Sequence, residues 1–175
     1  RNPFKGISQP SKPLPELTDA QGKAIDTVTS SLWTGSPKVF LLHGVTASGK
    51  TEVYIRIIEE VIAKGKSAIV LVPEISLTPQ ITQRFFERFG EIMAVLHSRL
   101  SQGERYDEWR RVEQGIAKIV IGARSAVFAP IQDLGIIIID EEHENSYKQE
   151  ESPRYHARDI ACERARLSNA VCVLG

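Results

Sequence analysis

Two textures of apolar residues alternate along this chain. Short continuous runs, at residues 38–43, 67–72, 92–96, 119–121, 134–139 and 170–174, read as strands buried on both faces. Between them lie longer segments with helical spacing. Tyr54, Ile58 and Ile62 recur beside Val53, Ile57 and Val61, which makes a broad buried stripe. Ile81, Phe85 and Phe89 recur at four-residue steps and predict a helix that turns its phenylalanines to the core. Tyr106, Trp109 and Val112 share one face of a helix over 101–113, and residues 155–167 predict a last helix. Strands alternating with helices specify an α/β fold, a parallel sheet sandwiched between helices. Ligands of such sheets gather at the carboxyl ends of the strands, so the loops after residues 43, 72, 96, 121, 139 and 174 are expected on one rim.

Punctuation residues set the boundaries. Pro3, Pro10, Pro13 and Pro15 lie among polar residues, so 1–16 reads as a linker and 17–175 as the domain. Thr18 is placed to cap a helix, with Gln21 at the capping-box position. Gly65 stops the helix before the second strand. Beginning at Arg1 without a methionine and stopping just after an apolar run, the chain reads as a piece of something longer.

Composition narrows the class. A chain of 175 residues with 42% apolar and 25% charged residues is long enough for one ordinary globular core. Its 22 basic and 22 acidic residues cancel, so any nucleic-acid contact must come from a local surface. No apolar run approaches the ~18 residues that span a bilayer, and no secretory leader precedes the domain, so no membrane partner is expected. Cys162 and Cys172 are too few and wrongly spaced for a zinc site and suit a reducing compartment.

The chemistry begins where the first strand gives way to the first long stripe. Gly44, Val45, Thr46, Ala47, Ser48, Gly49, Lys50 and Thr51 fit the phosphate-binding pattern G-x-x-x-x-G-K-[ST], between a strand and a helix as the pattern requires. Backbone N–H groups at a helix N-terminus converge on one spot, and the helix dipole adds positive potential there. Lys50 can reach the β- and γ-phosphates of ATP, and the Thr51 hydroxyl can ligate Mg²⁺. Far along the chain, four isoleucines run into Asp140, Glu141, Glu142 and His143. An acid at the end of a buried strand suits the metal, which makes Asp140 the partner of Thr51. Glu141 then polarises the attacking water. Lys50, Asp140 and Glu141 are the catalytic candidates, and a second acid after the metal ligand favours hydrolysis.

Residues 140–143 form a DEAH/DExH-type box, which resembles the superfamily 2 helicases. Residues 44–54, 72–79, 96–98, 121–130, 146–150 and 154–159 extend the likeness, and together they resemble the primosomal replication-restart helicases. The likeness runs from about residue 17 to the end. It implies the first of two RecA-like lobes, cut before a Ser-Ala-Thr motif. The second lobe would carry arginine fingers and a cysteine-bound zinc. The resemblance also implies ATP-driven 3′→5′ movement on DNA in the bacterial cytoplasm and nucleoid. Single-stranded and forked DNA, primosome proteins and single-stranded-DNA-binding protein would be the partners. Gln21 resembles the glutamine that reads adenine. His143 resembles the residue coupling the ATP site to DNA, and Arg124 and Ser125 resemble those that grip the DNA backbone. Residues 144–158 resemble an aromatic-rich loop, in which Tyr147, Tyr155 and His156 offer faces to bases among Lys148, Arg154 and Arg158. Two positions depart from the pattern, Ala47 and Arg99, both glycine in the family. Another superfamily 2 motor, for branch migration or RNA, shares the generic motifs, and a non-catalytic docking module is the rival from outside enzymes.

Overall fold

The computed structural model describes residues 15–34, 36–44 and 49–175. Residues 1–14 of the expected linker, and Val45, Thr46, Ala47 and Ser48 of the phosphate loop, lie outside the described residues. Six strands form the main sheet: β1 (Val39–Leu41), β2 (Ser67–Leu71), β3 (Met93–Leu96), β4 (Ile119–Gly122), β5 (Leu134–Ile139) and, last in the chain, β8 (Val171–Leu174). Every pairing among them is parallel, in the spatial order β1-β8-β5-β2-β4-β3. Among the described residues five α-helices accompany them: α1 (Asp19–Ser31), α2 (Lys50–Ala63), α3 (Pro79–Phe89), α4 (Gln102–Glu113) and α5 (Ala157–Leu167).

The period-2 alternation of each strand sorts the core into two layers. Ala68, Val70, Ile136, Ile138, Val171 and Val173 face a cluster with Val53, Ile57, Val61 and Phe85, which puts α1, α2 and α3 on that side. Ile69, Leu71, Ile137, Ile139 and Cys172 face the other cluster, which holds Val112 and the small stripe Ala157, Ala161 and Ala165. Thr18 and Gln21 form the anticipated capping box at the start of α1.

The two edges of the sheet are finished differently. At the β3 edge the Val95 N–H would face solvent unpaired, and the buried Glu108 carboxylate of α4 accepts from it at 3.1 Å. Arg111 completes the cover, donating to Glu108 at 2.7 Å and to the Glu91 and Met93 carbonyls at 2.5 and 3.3 Å. A covered edge cannot recruit another strand. This need reorients α4: its buried positions are Glu108 and Val112, while Tyr106 and Trp109 are exposed. At the other edge, β1 is shorter than the run 38–43 predicts and is not a fully buried strand. Phe40 packs on the core while Val39 and Leu41 stay open.

One expectation about the C-terminal third changes. Residues 155–156 are not helical; β7 (Tyr155–His156) pairs antiparallel with β6 (Lys148–Gln149), and His156 caps α5 through its side chain. Cys162 and Cys172 are free thiols with their sulfurs 3.8 Å apart. The contact with Cys172 holds the Cys162 thiol down, at about 7.

Candidate functional site

All six parallel strands end on one rim, so Lys50 at the start of α2 and the acids after β5 meet in space although they lie far apart in the chain. Gly49 opens α2 in the left-handed region at φ 82°, where a side chain is strained. Space gives a second reason: a Cβ there would collide with the Gln21 amide. Lys50, in the first turn, donates to Glu141 at 3.2 Å. Glu141 reaches that position because its own backbone is left-handed, at φ 49°. A non-glycine residue held this way costs about 1–2 kcal/mol, and the turn swings the second acid back toward the phosphate loop. Thr51 follows in the same turn of α2 and is partly exposed.

Asp140 is the most constrained residue of the rim. Its N–H donates to the Leu71 carbonyl at 2.9 Å, continuing the β5–β2 ladder past the end of β5. The Tyr54 hydroxyl donates to its Oδ1 at 3.0 Å, and the Tyr147 hydroxyl to its backbone carbonyl at 2.6 Å. Burial pushes the Asp140 carboxyl up, opposed by the Tyr54 hydrogen bond and the Lys50 charge. Burial, reinforced by the Asp140 charge, raises both tyrosine hydroxyls well above their ordinary value, so they act as donors throughout the accessible range. Beside them, the Gly175 N–H donates to the Ile139 carbonyl at 2.8 Å and its carbonyl accepts from Glu142 at 2.9 Å. A methyl group on Gly175 would overlap the Tyr54 hydroxyl. Tyr54 read only as core in the sequence. Nothing local marks its hydroxyl, because the partner lies 86 residues away.

The remaining candidates are not equally exposed. Tyr147 is closed off from solvent, with a fully buried ring. It cannot offer a face to a base as 144–158 suggested, because the turn at Asn145–Tyr147 folds the ring under the rim onto the α5 layer. Tyr155 is half-buried and meets Phe128 edge-on at 5.1 Å. Arg124 donates to the Lys148 carbonyl at 2.6 Å and the Ser146 carbonyl at 3.4 Å, so it ties the turn after β4 to the hairpin. Ser125, Lys148 and Arg154 are exposed, and Lys148 pairs with Glu150 at 3.3 Å. The His156 side chain accepts from the Arg158 N–H at 3.2 Å, and the Arg158 guanidinium pairs with Glu142 at 3.1 Å. His143 is 68% exposed and its Nε2 lies 3.7 Å from Glu141. Gln21 closes the capping box, its Oε1 accepting from the Thr18 N–H at 2.9 Å, while its Nε2 faces the Gly49 carbonyl at 3.5 Å. Arg99 is exposed, and its N–H donates to His97 at 3.1 Å.

The donor set near the phosphate loop is hard, one hydroxyl and one carboxylate, which fits Mg²⁺ sharing its sphere with phosphate and water. Among the described residues no group of three or more His, Cys, Asp or Glu could hold a metal unaided. No helix among them is long and apolar enough to cross a membrane.

Comparison with known proteins agrees with this geometry. The chain is 57% identical along its whole length to replication restart protein PriA of Bacillus subtilis (strain 168), and 51% identical to that of Synechocystis sp.. It spans about a fifth of those proteins, 22% and 21%. A structure of RecG bound to a three-way DNA junction matches 94% of this chain and 21% of that one, with TM-score 0.70 and 23% identity. The UvsW helicase from bacteriophage T4 matches 91% of this chain and 52% of that one, with TM-score 0.60 and 14% identity. At these identities the two structures speak for the fold, a RecA-like helicase lobe. The DEAD/DEAH box helicase family matches residues 18–172. On a match that runs from the cap of the first helix into the last strand, this chain belongs to the DEAD/DEAH box helicase family.

Proposed function

We propose that this chain is the ATP-binding lobe of a 3′→5′ DNA helicase that restarts stalled replication forks and assembles primosomes. The observation that carries the reading is the meeting of Lys50, Glu141 and Asp140 on one rim of a chain so similar to replication restart proteins. In the motor, residues 17–175 form the first lobe, preceded by a linker. A second lobe supplies the arginine fingers and holds the zinc. Single-stranded and forked DNA, primosome proteins and single-stranded-DNA-binding protein are its partners, in the bacterial cytoplasm and nucleoid.

Each residue then has a physical task. The N–H groups of residues 44–51 cradle the phosphates, and Gln21 lies beside Gly49 where it can read the base. Lys50 exchanges Glu141 for phosphate oxygens, which frees Glu141 to orient and polarise the attacking water. Thr51 and Asp140 would hold Mg²⁺, whose charge would supply electrostatic stabilisation to the phosphates. His143, in contact with Glu141, passes the state of that acid toward the DNA face. On that face Ser125, Lys148, Arg154 and Arg158 lie along the strand, with Arg124 and His156 positioning the hairpin that presents them.

A lobe without its partner lacks the groups that complete the transition state. This chain is therefore expected to bind Mg²⁺-nucleotide weakly and to turn it over little. Steady-state ATPase assays with single-stranded DNA test this, and brisk stimulated hydrolysis by this chain alone would contradict it. Equal binding of a labelled ATP analogue by wild type and Lys50→Ala would contradict the phosphate-loop assignment and favour a docking module.

A further inference from the structure

With Tyr147 closed off, the open aromatic faces of the rim lie elsewhere. Trp109 of α4 is 36% exposed, and Phe128, in the tight turn after β4, is 48% exposed. Both line a single cleft of about 680 Å³ at the carboxyl ends of β3 and β4. That volume lies within the ~300–1,000 Å³ range of sites for small ligands. Arg105 and Arg124 line the same cleft against one acid, Glu74, whose carboxylate accepts from the Ser98 hydroxyl. The mouth is thus positive and the walls are aromatic.

We propose that this cleft takes an unstacked base of single-stranded DNA, with Trp109 and Phe128 as its apolar walls and Arg105 as the cation beside its phosphate. The proposal rests on the reading of this lobe as a DNA motor. Three observations favour this occupant. Aromatic faces beside guanidinium groups hold single strands without preference for sequence, because every base has a π-face. Ser125, already given to the backbone, and Arg124, which holds the hairpin, line the same cleft, so a strand lying along Ser125 passes over its opening. One wall and the floor are also set beforehand. Tyr155 holds the Phe128 ring edge-on at 76°, and the Ala123 N–H donates to the Leu96 carbonyl at 3.2 Å across the floor. Little ordering is then required when a base enters.

The chain contains two tryptophans, Trp33 and Trp109. Trp33 lies against Lys64 at the far end of α2, away from the rim, so Trp33→Phe leaves Trp109 as the single reporter. The test titrates this variant with a labelled oligothymidylate and with an abasic strand of equal length, following strand anisotropy and Trp109 emission together. The expected result is quenching by oligothymidylate alone, and about fivefold or weaker binding of the abasic strand. In the wild-type background, Trp109→Ala should lose that preference and Trp109→Phe should keep it. Equal binding of both strands with Trp109 emission unchanged would overturn the proposal and leave the DNA-motor reading standing. Equal quenching by an acidic peptide would overturn it as well. No anisotropy change with any strand would remove the DNA reading and the proposal together.

Discussion

The two ends of the rim are built on opposite principles. At the end of β5, Asp140 is held through its N–H, its carbonyl and one carboxylate oxygen by Leu71, Tyr147 and Tyr54. At the ends of β3 and β4, Trp109 and Phe128 leave aromatic surface open to solvent. Chemistry on phosphate requires groups fixed before the substrate arrives, whereas a strand of changing sequence requires surface and charge without a rigid pattern of donors. Aromatic side chains appear at both ends, Tyr54 and Tyr147 at one and Trp109 and Phe128 at the other. Burial, and not residue type, separates the two proposed roles.

The sharpest way to break this contrast is the same truncation at both ends. Tyr147→Ala should lower the unfolding free energy by about 3–5 kcal/mol, because it opens a cavity and strands the Asp140 carbonyl. Trp109→Ala should lower it by about 1 kcal/mol at most. Equal losses in urea denaturation would show that the two ends are not built differently. Next in size, Lys50→Ala should weaken binding of a fluorescent ATP analogue about 10- to 100-fold, the equivalent of a charge-assisted hydrogen bond of about 1.5–3 kcal/mol. Its melting temperature should stay close to wild type.

Tyr54→Phe isolates the tether on Asp140, the acid proposed to hold the metal. It should weaken Mg²⁺-dependent nucleotide binding about fivefold, near 1 kcal/mol, and leave binding in EDTA unchanged. Equal weakening with and without Mg²⁺ would mean that Tyr54 only supports the core. The smallest effect is expected from Arg124→Ala, under about 1 kcal/mol in stability because the group is accessible. It should be seen as faster amide exchange at residues 146–150, where Arg124 holds the Ser146 and Lys148 carbonyls. Unchanged exchange there would detach the turn after β4 from the hairpin.

What could be read from sequence follows the range of the forces involved. The strands were legible because a parallel sheet buried on both faces demands unbroken apolar runs, as in residues 136–139. The start of α2 was legible because Gly49, Lys50 and Thr51 act within one turn. The face of α4 was not: the spacing of Tyr106, Trp109 and Val112 pointed one way, while the unpaired Val95 N–H of an edge strand drew Glu108 inward. Tyr147 was misjudged for a related reason. Polar neighbours on both sides suggested an open loop, and only the packing of α5 against β5 creates the buried space that its ring fills.

By itself, then, the sequence determined the alternation of strands and helices, the start of α2 at Gly49, the acidic pair after β5 and the capping box at Thr18. Each depends on residues within about one turn or one strand of each other, where spacing alone decides the geometry. Tertiary structure alone decided which tyrosine holds the acid and which aromatic residues stay open. Positions 54, 140, 147 and 175 become neighbours only because the strand order places β8 and β2 on either side of β5. A hydroxyl that reaches across 86 residues leaves no period in the chain to read.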